Sequence, residues 1–359
     1  MLDVKIRRKL PGFSLDISFS INQEILSILG PSGSGKTMSL QCIAGIVRPD
    51  EGYIALNGKV LFDSNKGLNL STQMRKIGFI FHNYALFPHL TVDENVAYGI
   101  SHLPRIEVTR KVSRLLDSMN ISGLGKRFPW QLSSGQQQRV AIARALAPDP
   151  ELLLLDEPFS ALDTVIKERL EFDLAALQRS YKGNMLFVTH DLAQGYKLGS
   201  KMAIYNSGSI VQFDHKDKVI TAPATSVAAR LVGFKNLYEG FIVETNEKYS
   251  IVKIGDLEQN IKVITQNGVK LNINQKVIVG IRPENVRIVE HPGENTFPCT
   301  ADQIVEGVST TNFLLQINHG SIIKHYIECI LLKSDAPLVA NNQTYYAHLP
   351  PERLVIITG

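Results

Sequence analysis

The period of hydrophobic and polar positions changes along the chain, and each change marks an element. Residues 14–21 (SLDISFSI) alternate and predict a strand with one buried face. Residues 24–29 form a short apolar run, predicting a strand that ends in a glycine-rich turn. Residues 37–46 place Met38, Leu40, Ile43 and Ala44 at helical spacing, and Arg48-Pro49-Asp50-Glu51-Gly52 breaks that helix. Residues 134–146 predict a second helix stopped by Pro148, and residues 152–155 and 185–188 predict fully buried strands. Strand-like and helix-like segments alternating over residues 1–235 predict an α/β domain.

From residue 236 the pattern changes. Strands become short and alternating, at 251–254, 277–281, 313–317 and 321–330, with Asn, Gly and Asp turns. Residues 236–359 therefore predict a small, barrel-like all-β domain. It contains an echo: residues 281–289 (IRPENVRIV) resemble 349–357 (LPPERLVII). Either a turn before a strand is reused, or two related β-modules follow each other.

Composition narrows the class. Hydrophobic residues are 44% and charged residues 20%, which excludes a disordered or collagen-like chain. With 38 Lys and Arg against 34 Asp and Glu, the excess of basic charge is too small to point to nucleic acid. Cys42, Cys299 and Cys329 are far apart and read as reduced thiols, not a disulfide framework or zinc site. No stretch approaches the roughly 20 apolar residues that span a bilayer, and the first residues show no leader pattern.

Two segments carry chemistry. Gly30-Pro31-Ser32-Gly33-Ser34-Gly35-Lys36-Thr37 fits G-x-x-x-x-G-K-[ST] between a strand and a helix. Its glycines let N–H groups turn toward a phosphate, and the helix start favours the anion. Lys36 would reach the β- and γ-phosphates, and the Thr37 hydroxyl would ligate Mg²⁺. Downstream, four leucines deliver Asp156-Glu157 to the end of a buried strand, where α/β sheets place their chemistry. Asp156 suits the Mg²⁺ shell and Glu157 suits a general base for water. ATP and Mg²⁺ are the expected substrate and cofactor.

Between these segments lies Leu132-Ser133-Ser134-Gly135-Gln136, and after them come Ser160-Ala161-Leu162-Asp163 and Thr189-His190-Asp191. This order of motifs, over about two-thirds of the chain, resembles the ATP-binding-cassette ATPases. The resemblance implies a P-loop cassette with a helical subdomain, working as a head-to-tail pair of copies. Each ATP would lie between one copy's phosphate loop and the other's signature, Leu132 to Gln136. Ser133 and Gly135 would donate to the partner's γ-phosphate, His190 would contact it in its own site, and Asp163 would link the two sites. Phe13 stands near the position of the adenine-stacking aromatic, and reads equally as a core Phe on a strand.

Residues 81–92 (FHNYALFPHLTV) resemble the Q-loop region of bacterial importer ATPases, where a membrane-subunit helix docks. Leu86 and Phe87 read either as an exposed partner site or as core. The C-terminal β-domain resembles the OB-like or TOBE-type regulatory domain of such importers. Residues 13–16, Phe62-Asp63-Ser64 and the Pro-Pro-Glu near the end look most like the molybdate-importer ATPases, with sulfate, iron(III) and polyamine relatives close. The resemblance implies a peripheral protein on the cytoplasmic face of a membrane, with separate permease subunits and, indirectly, a solute-binding protein. Readings of another class are a soluble non-transport ATPase or a regulatory nucleotide binder.

Four residues depart from the family pattern. His82 stands for the Q-loop glutamine, Ser134 for a signature glycine, and Gln194-Gly195 for Glu-Ala. His82 and Ser134 fall in loops expected to contact ATP, so altered turnover is expected.

Overall fold

The computed structural model describes residues 1–160, 164–181, 183–255, 259–264, 271–317, 325–336 and 345–358. The chain packs as two units, Met1–Lys216 and Asp217–Gly359. The boundary read from composition, 235/236, falls where the strand Asn236–Thr245 begins, whereas the packing boundary is earlier. Arg282 accounts for the difference. It donates to the Ile220 carbonyl at 2.8 Å and lies 4.7 Å over the Phe234 ring, tying the intervening short helices to the second unit.

The first unit is built on an eleven-stranded sheet with two characters. Ile25–Leu29, Asn184–Val188, Leu152–Asp156 and Ile77–Ile80 are parallel neighbours in that order. The first three are buried at every residue, as in a sheet covered on both faces, which explains their unbroken apolar runs. The antiparallel half includes Leu2–Leu10 and Phe13–Ile21, where buried and exposed residues alternate. A helical layer of Val92–Ala97, Arg105–Ser118 and Ser134–Leu146 packs around Val96, Leu116 and Val140.

The first helix is Lys36–Ala44, two residues shorter at its end than its periodicity suggests. Gly45 ends it in a left-handed conformation (φ 81°), returning its N–H to Cys42 and Gln41 carbonyls. Arg75, 1% exposed, completes the cap by donating to the Cys42 and Ile43 carbonyls at 3.0 and 2.7 Å. Among the described residues no helix is long and apolar enough to cross a membrane.

From Asn236 the second unit bears out the all-β reading and decides the echo in favour of two modules. Its first sheet has the order Gln259–Ile264, Tyr249–Ile254, Asn236–Thr245, Lys276–Ile281, Val355–Ile357. The second sheet has the order His325–Leu332, Thr310–Ile317, Thr296–Glu306, Tyr345–His348, Arg287–Val289, the same arrangement used again. The strand expected at 321–330 is described from His325; residues 318–324 lie outside the described set.

In each module a 3₁₀ turn, Pro283–Asn285 or Pro351–Arg353, sends the last strand into the other sheet. Matching buried asparagines fasten the exchange. Asn236 donates to the Glu328 carbonyl and accepts from its N–H, both at 2.8 Å. Asn295 makes the same pair with Lys262, at 2.7 and 2.8 Å. The flanking ion pairs have opposite polarity: Lys235–Glu328 at 3.2 Å and Glu294–Lys262 at 2.9 Å.

Asn236→Ala or Asn295→Ala leaves a buried N–H and C=O unpaired, so each should destabilise the second unit by about 1–3 kcal/mol. Calorimetric unfolding of the full chain should show that unit melting earlier, whereas Lys262→Met, at a half-exposed pair, should change it by less than about 1 kcal/mol.

Candidate functional site

Four neighbouring parallel strands end on one edge of the sheet, and each hands its next residues to the same place. Ile25–Leu29 leads into the Gly30–Thr37 loop, Leu152–Asp156 into Glu157, Asn184–Val188 into Thr189-His190, and Ile77–Ile80 into Phe81-His82. Residues from four distant stretches thus meet at the carboxyl ends of the strands, where open α/β sheets bind ligands.

The loop is shaped by its backbone. Gly33 and Gly35 have φ of 77° and 99°, a region that side chains rarely adopt. A Cβ on Gly35 would lie 2.7 Å from Leu15 Cδ1 and 3.0 Å from Phe13 Cζ. Phe13 itself is half-buried: it packs on the strand core and its ring edge reaches the loop. The loop opens directly into the helix Lys36–Ala44, whose first N–H groups are unpaired donors. The hydroxyl of Ser34, 3% exposed, has no hydrogen-bond partner among the described residues. A loop of inward donors with an orphan hydroxyl fits a phosphate chain.

The charged groups are coupled. Lys36 is 7% exposed and donates to the Gly30 and Pro31 carbonyls, each at 2.9 Å. Burial pulls its pKa down, against the opposing pull of Glu157 and Asp156. Thr37 Oγ1 donates to Asp156 Oδ1 at 3.0 Å. Burial raises the Asp156 pKa, partly offset by that hydrogen bond and by His82 and Lys36 nearby. The hydroxyl and carboxylate are hard oxygen donors of the kind Mg²⁺ takes. Among the described residues no three His, Cys, Asp or Glu side chains cluster as a metal cage. A Mg²⁺ ion here would fill its remaining positions with phosphate and water.

Glu157 has φ 45°, and its N–H donates to the Val188 carbonyl at 3.1 Å. This ties the turn to the neighbouring strand and aims the side chain at His190, whose Nδ1 lies 3.2 Å from Glu157 Oε2. The helix Leu192–Leu198, which follows His190, is held close by Gly195: its carbonyl accepts from Ser27 at 2.8 Å, and a Cβ there would meet Leu29 Cδ1 at 3.0 Å. The Gln194-Gly195 departure therefore has a packing role. Gln194 is buried and its Oε1 accepts from Thr189 Oγ1 at 2.7 Å.

The structure brings together Phe13, the Gly30–Thr37 loop, His82, Asp156, Glu157 and His190. It leaves Leu132 to Gln136 apart. Ser133 caps the helix Ser134–Leu146 in a reciprocal box with Gln136, Leu132 is in the core of the helical layer, and Gly135 is buried against Ile166. Asp163 lies outside the described residues. Leu86 and Phe87 are half-buried: Leu86 bridges two core clusters, and Phe87 packs on Tyr98 with ring centroids 4.4 Å apart.

One supporting residue escapes the motif reading. Gly208 (φ 83°) closes the hairpin Lys201–Asn206/Ser209–His215 and donates to the Ser34 carbonyl at 3.1 Å, bracing the phosphate loop from a distant segment. Its signal is the Ser-Gly pair between two strand-like runs.

Comparison with known proteins agrees with this geometry. Residues 15–160 match the ABC transporter family. The chain is 35% identical over 332 residues to the spermidine/putrescine import ATP-binding protein PotA of Protochlamydia amoebophila, covering 90% of this chain and 87% of that protein. It is 39% identical over 317 residues to the molybdate/tungstate import ATP-binding protein WtpC of Pyrococcus horikoshii, covering 86% and 85%. A solved dimer of the ATP-binding cassette MJ0796, in a post-hydrolysis state with ADP and Pi, matches with a TM-score of 0.53 at 29% identity, covering 60% of this chain and 99% of that one. Phosphate loop, strand-end carboxylates and near full-length relatives agree: this chain belongs to the ABC transporter family, as an ATP-hydrolysing subunit of an import system.

Proposed function

We propose that two copies of this chain pair head to tail, peripherally on the cytoplasmic face of a membrane, and drive a permease made of separate subunits. The observation that carries this reading is the shared strand edge where Thr37 meets Asp156 and Glu157 meets His190. The Gly30–Thr37 loop and Lys36 hold the phosphates of ATP, and Phe13 stacks on the adenine. Thr37 and Asp156 would hold Mg²⁺, which would supply charge neutralisation on the phosphates.

Glu157 accepts a proton from the attacking water, whose oxygen bonds to the γ-phosphorus as the bond to the bridging oxygen breaks. ADP departs with that electron pair. His190 orients Glu157 and the γ-phosphate. Ser133 and Gly135 of the signature face the partner's γ-phosphate, Leu132, Ser134 and Gln136 complete that segment, and Asp163 links the two sites.

A membrane-subunit helix docks over Leu86 and Phe87, both half-buried, and reaches the groove of about 790 Å³ between Val92–Ala97 and Arg105–Ser118. Its floor includes Ala97, Leu103, Val112 and Leu116, and its rim carries Asp93, Arg105 and Lys126. An apolar floor with a charged rim suits an amphipathic helix. The C-terminal unit acts as a TOBE-type regulatory module.

For the cargo we propose molybdate or a related oxyanion, delivered by a solute-binding protein. The relative with molybdate/tungstate import in its name supports this, at 39% identity. A polyamine is the second reading, supported by the relative that covers 90% of this chain.

Glu157→Gln should lower the ATPase rate of the assembled complex by about 10²–10⁴-fold, with ATP binding retained in an equilibrium assay. Chelating Mg²⁺ should abolish turnover of the wild type. His82→Gln and Ser134→Gly should each change kcat severalfold at saturating Mg²⁺-ATP; rates equal to the wild type would remove both residues from the site. Cells lacking the chain should lose uptake of labelled molybdate and keep that of spermidine, and the opposite pattern would assign the polyamine.

A further inference from the structure

The segment after His82 is unfavourable in its local conformation. Tyr84 and Ala85 have φ of 61° and 45°, two consecutive left-handed residues that are neither Gly nor Asn. Tyr84 is 5% exposed and its buried hydroxyl has no hydrogen-bond partner among the described residues. A turn with these features must be held from outside.

Arg144 holds it. This residue lies in the last turn of the helix that Ser133 caps. Its Nη1 donates to the Ala85 carbonyl at 2.7 Å and its Nη2 to the Tyr84 carbonyl at 2.8 Å. The same guanidinium lies 5.3 Å over the Phe87 ring. Burial lowers its pKa from the usual arginine value. Two adjacent carbonyls match the planar fork of arginine, a geometry lysine does not offer.

Both ends of this link are hydrogen-bonded. From Tyr84 back to His82 the chain is a tight turn: Tyr84 N–H donates to the Phe81 carbonyl at 2.9 Å, and Ala85 N–H to the Asn83 carbonyl at 2.7 Å. Beyond it, fully buried Asn95 accepts from Phe87 N–H at 2.9 Å and donates to the Leu90 and Thr91 carbonyls, each at 3.0 Å. The fork thus joins two stretches: the one that brings His82 to Asp156 and the one that starts with the signature.

We propose that Arg144 is a positioning residue for ATP turnover, holding the strained Tyr84–Ala85 turn so that His82 and the Ser133 helix start keep a fixed relation. It touches no reacting atom and acts through the turn. The inference rests on the reading of His82 and Glu157 as parts of the nucleotide site.

The test is a double-variant cycle in the full-length protein, with steady-state ATPase and thermal melting measured on each variant. Arg144→Gln should lower kcat about tenfold and leave the KM for ATP within about twofold. Arg144→Lys should not restore kcat. Ala85→Gly should stay near wild type, because glycine adopts positive φ unaided. Arg144→Gln with Ala85→Gly should recover to within about threefold of wild type, a non-additivity that lost packing alone does not produce. An unchanged kcat in Arg144→Gln, an effect confined to KM, or a double variant no faster than Arg144→Gln overturns the assignment. Should Arg144→Gln not fold, the same cycle with Arg144→Lys is read by the same criteria. Glu157→Gln is measured alongside. Wild-type turnover there removes the site reading and this inference with it, whereas an inactive Glu157→Gln beside an additive cycle removes only Arg144.

Discussion

The hydrogen bond from Thr37 to Asp156 joins the start of one helix to the end of a strand far along the chain. The rest of the site is arranged around that junction. Asp156 is nearly dry, and burial pushes its carboxyl toward the neutral form. A buried carboxylate is tolerated only where donors or cations answer it. Thr37, Lys36 and His82 are the groups present to do so, and all belong to the same strand edge. The phosphate loop, the leucine strand and the His82 segment converge because their strands are neighbours in one parallel sheet, and the buried Asp156 finds its donor there.

Close approach is the second constraint. The loop can bend around an anion because Gly35 lets Phe13 and Leu15 pack against its backbone. His190 can reach Glu157 because Gly195 lets the following helix, Leu192–Leu198, lie on Leu29. A Cβ at either point would separate layers that the chemistry needs in contact. Strain is held in the same region, at Glu157 and at Tyr84–Ala85, where neighbouring elements supply hydrogen bonds that the local chain lacks.

The C-terminal unit is organised by symmetry. Two modules with the same strand order exchange their last strands, and each buries an asparagine that imitates a strand's donor and acceptor for the other. The ion pairs beside these asparagines are reversed in sign, so a module facing a copy of itself would meet like charges. Surface pairs contribute little to stability but discriminate between partners.

Much of this was readable in the residues. Alternation in Phe13–Ile21, unbroken apolar runs in Leu152–Asp156 and Asn184–Val188, and the Gly30–Thr37 and Asp156-Glu157 motifs depend on residues within one turn or strand, so a linear pattern records them. The repeated Pro-Glu stretch left open a reused turn or two modules, and the repeated sheet order decided for two. Other features depend on partners distant in sequence. The end of the first helix waits on Gly45 and Arg75, and the bracing of the loop on Gly208. Half-burial of Leu86 and Phe87 waits on the cores they join and on Tyr98. The exchange of strands and the grip of Arg144 on Tyr84 and Ala85 leave no periodic trace either, because a single polar side chain satisfying a distant carbonyl changes no local pattern. Composition and period thus set the elements and the chemistry they carry. Which elements touch was decided by the need of buried charges and backbone groups for partners, and that need is met only in the folded chain.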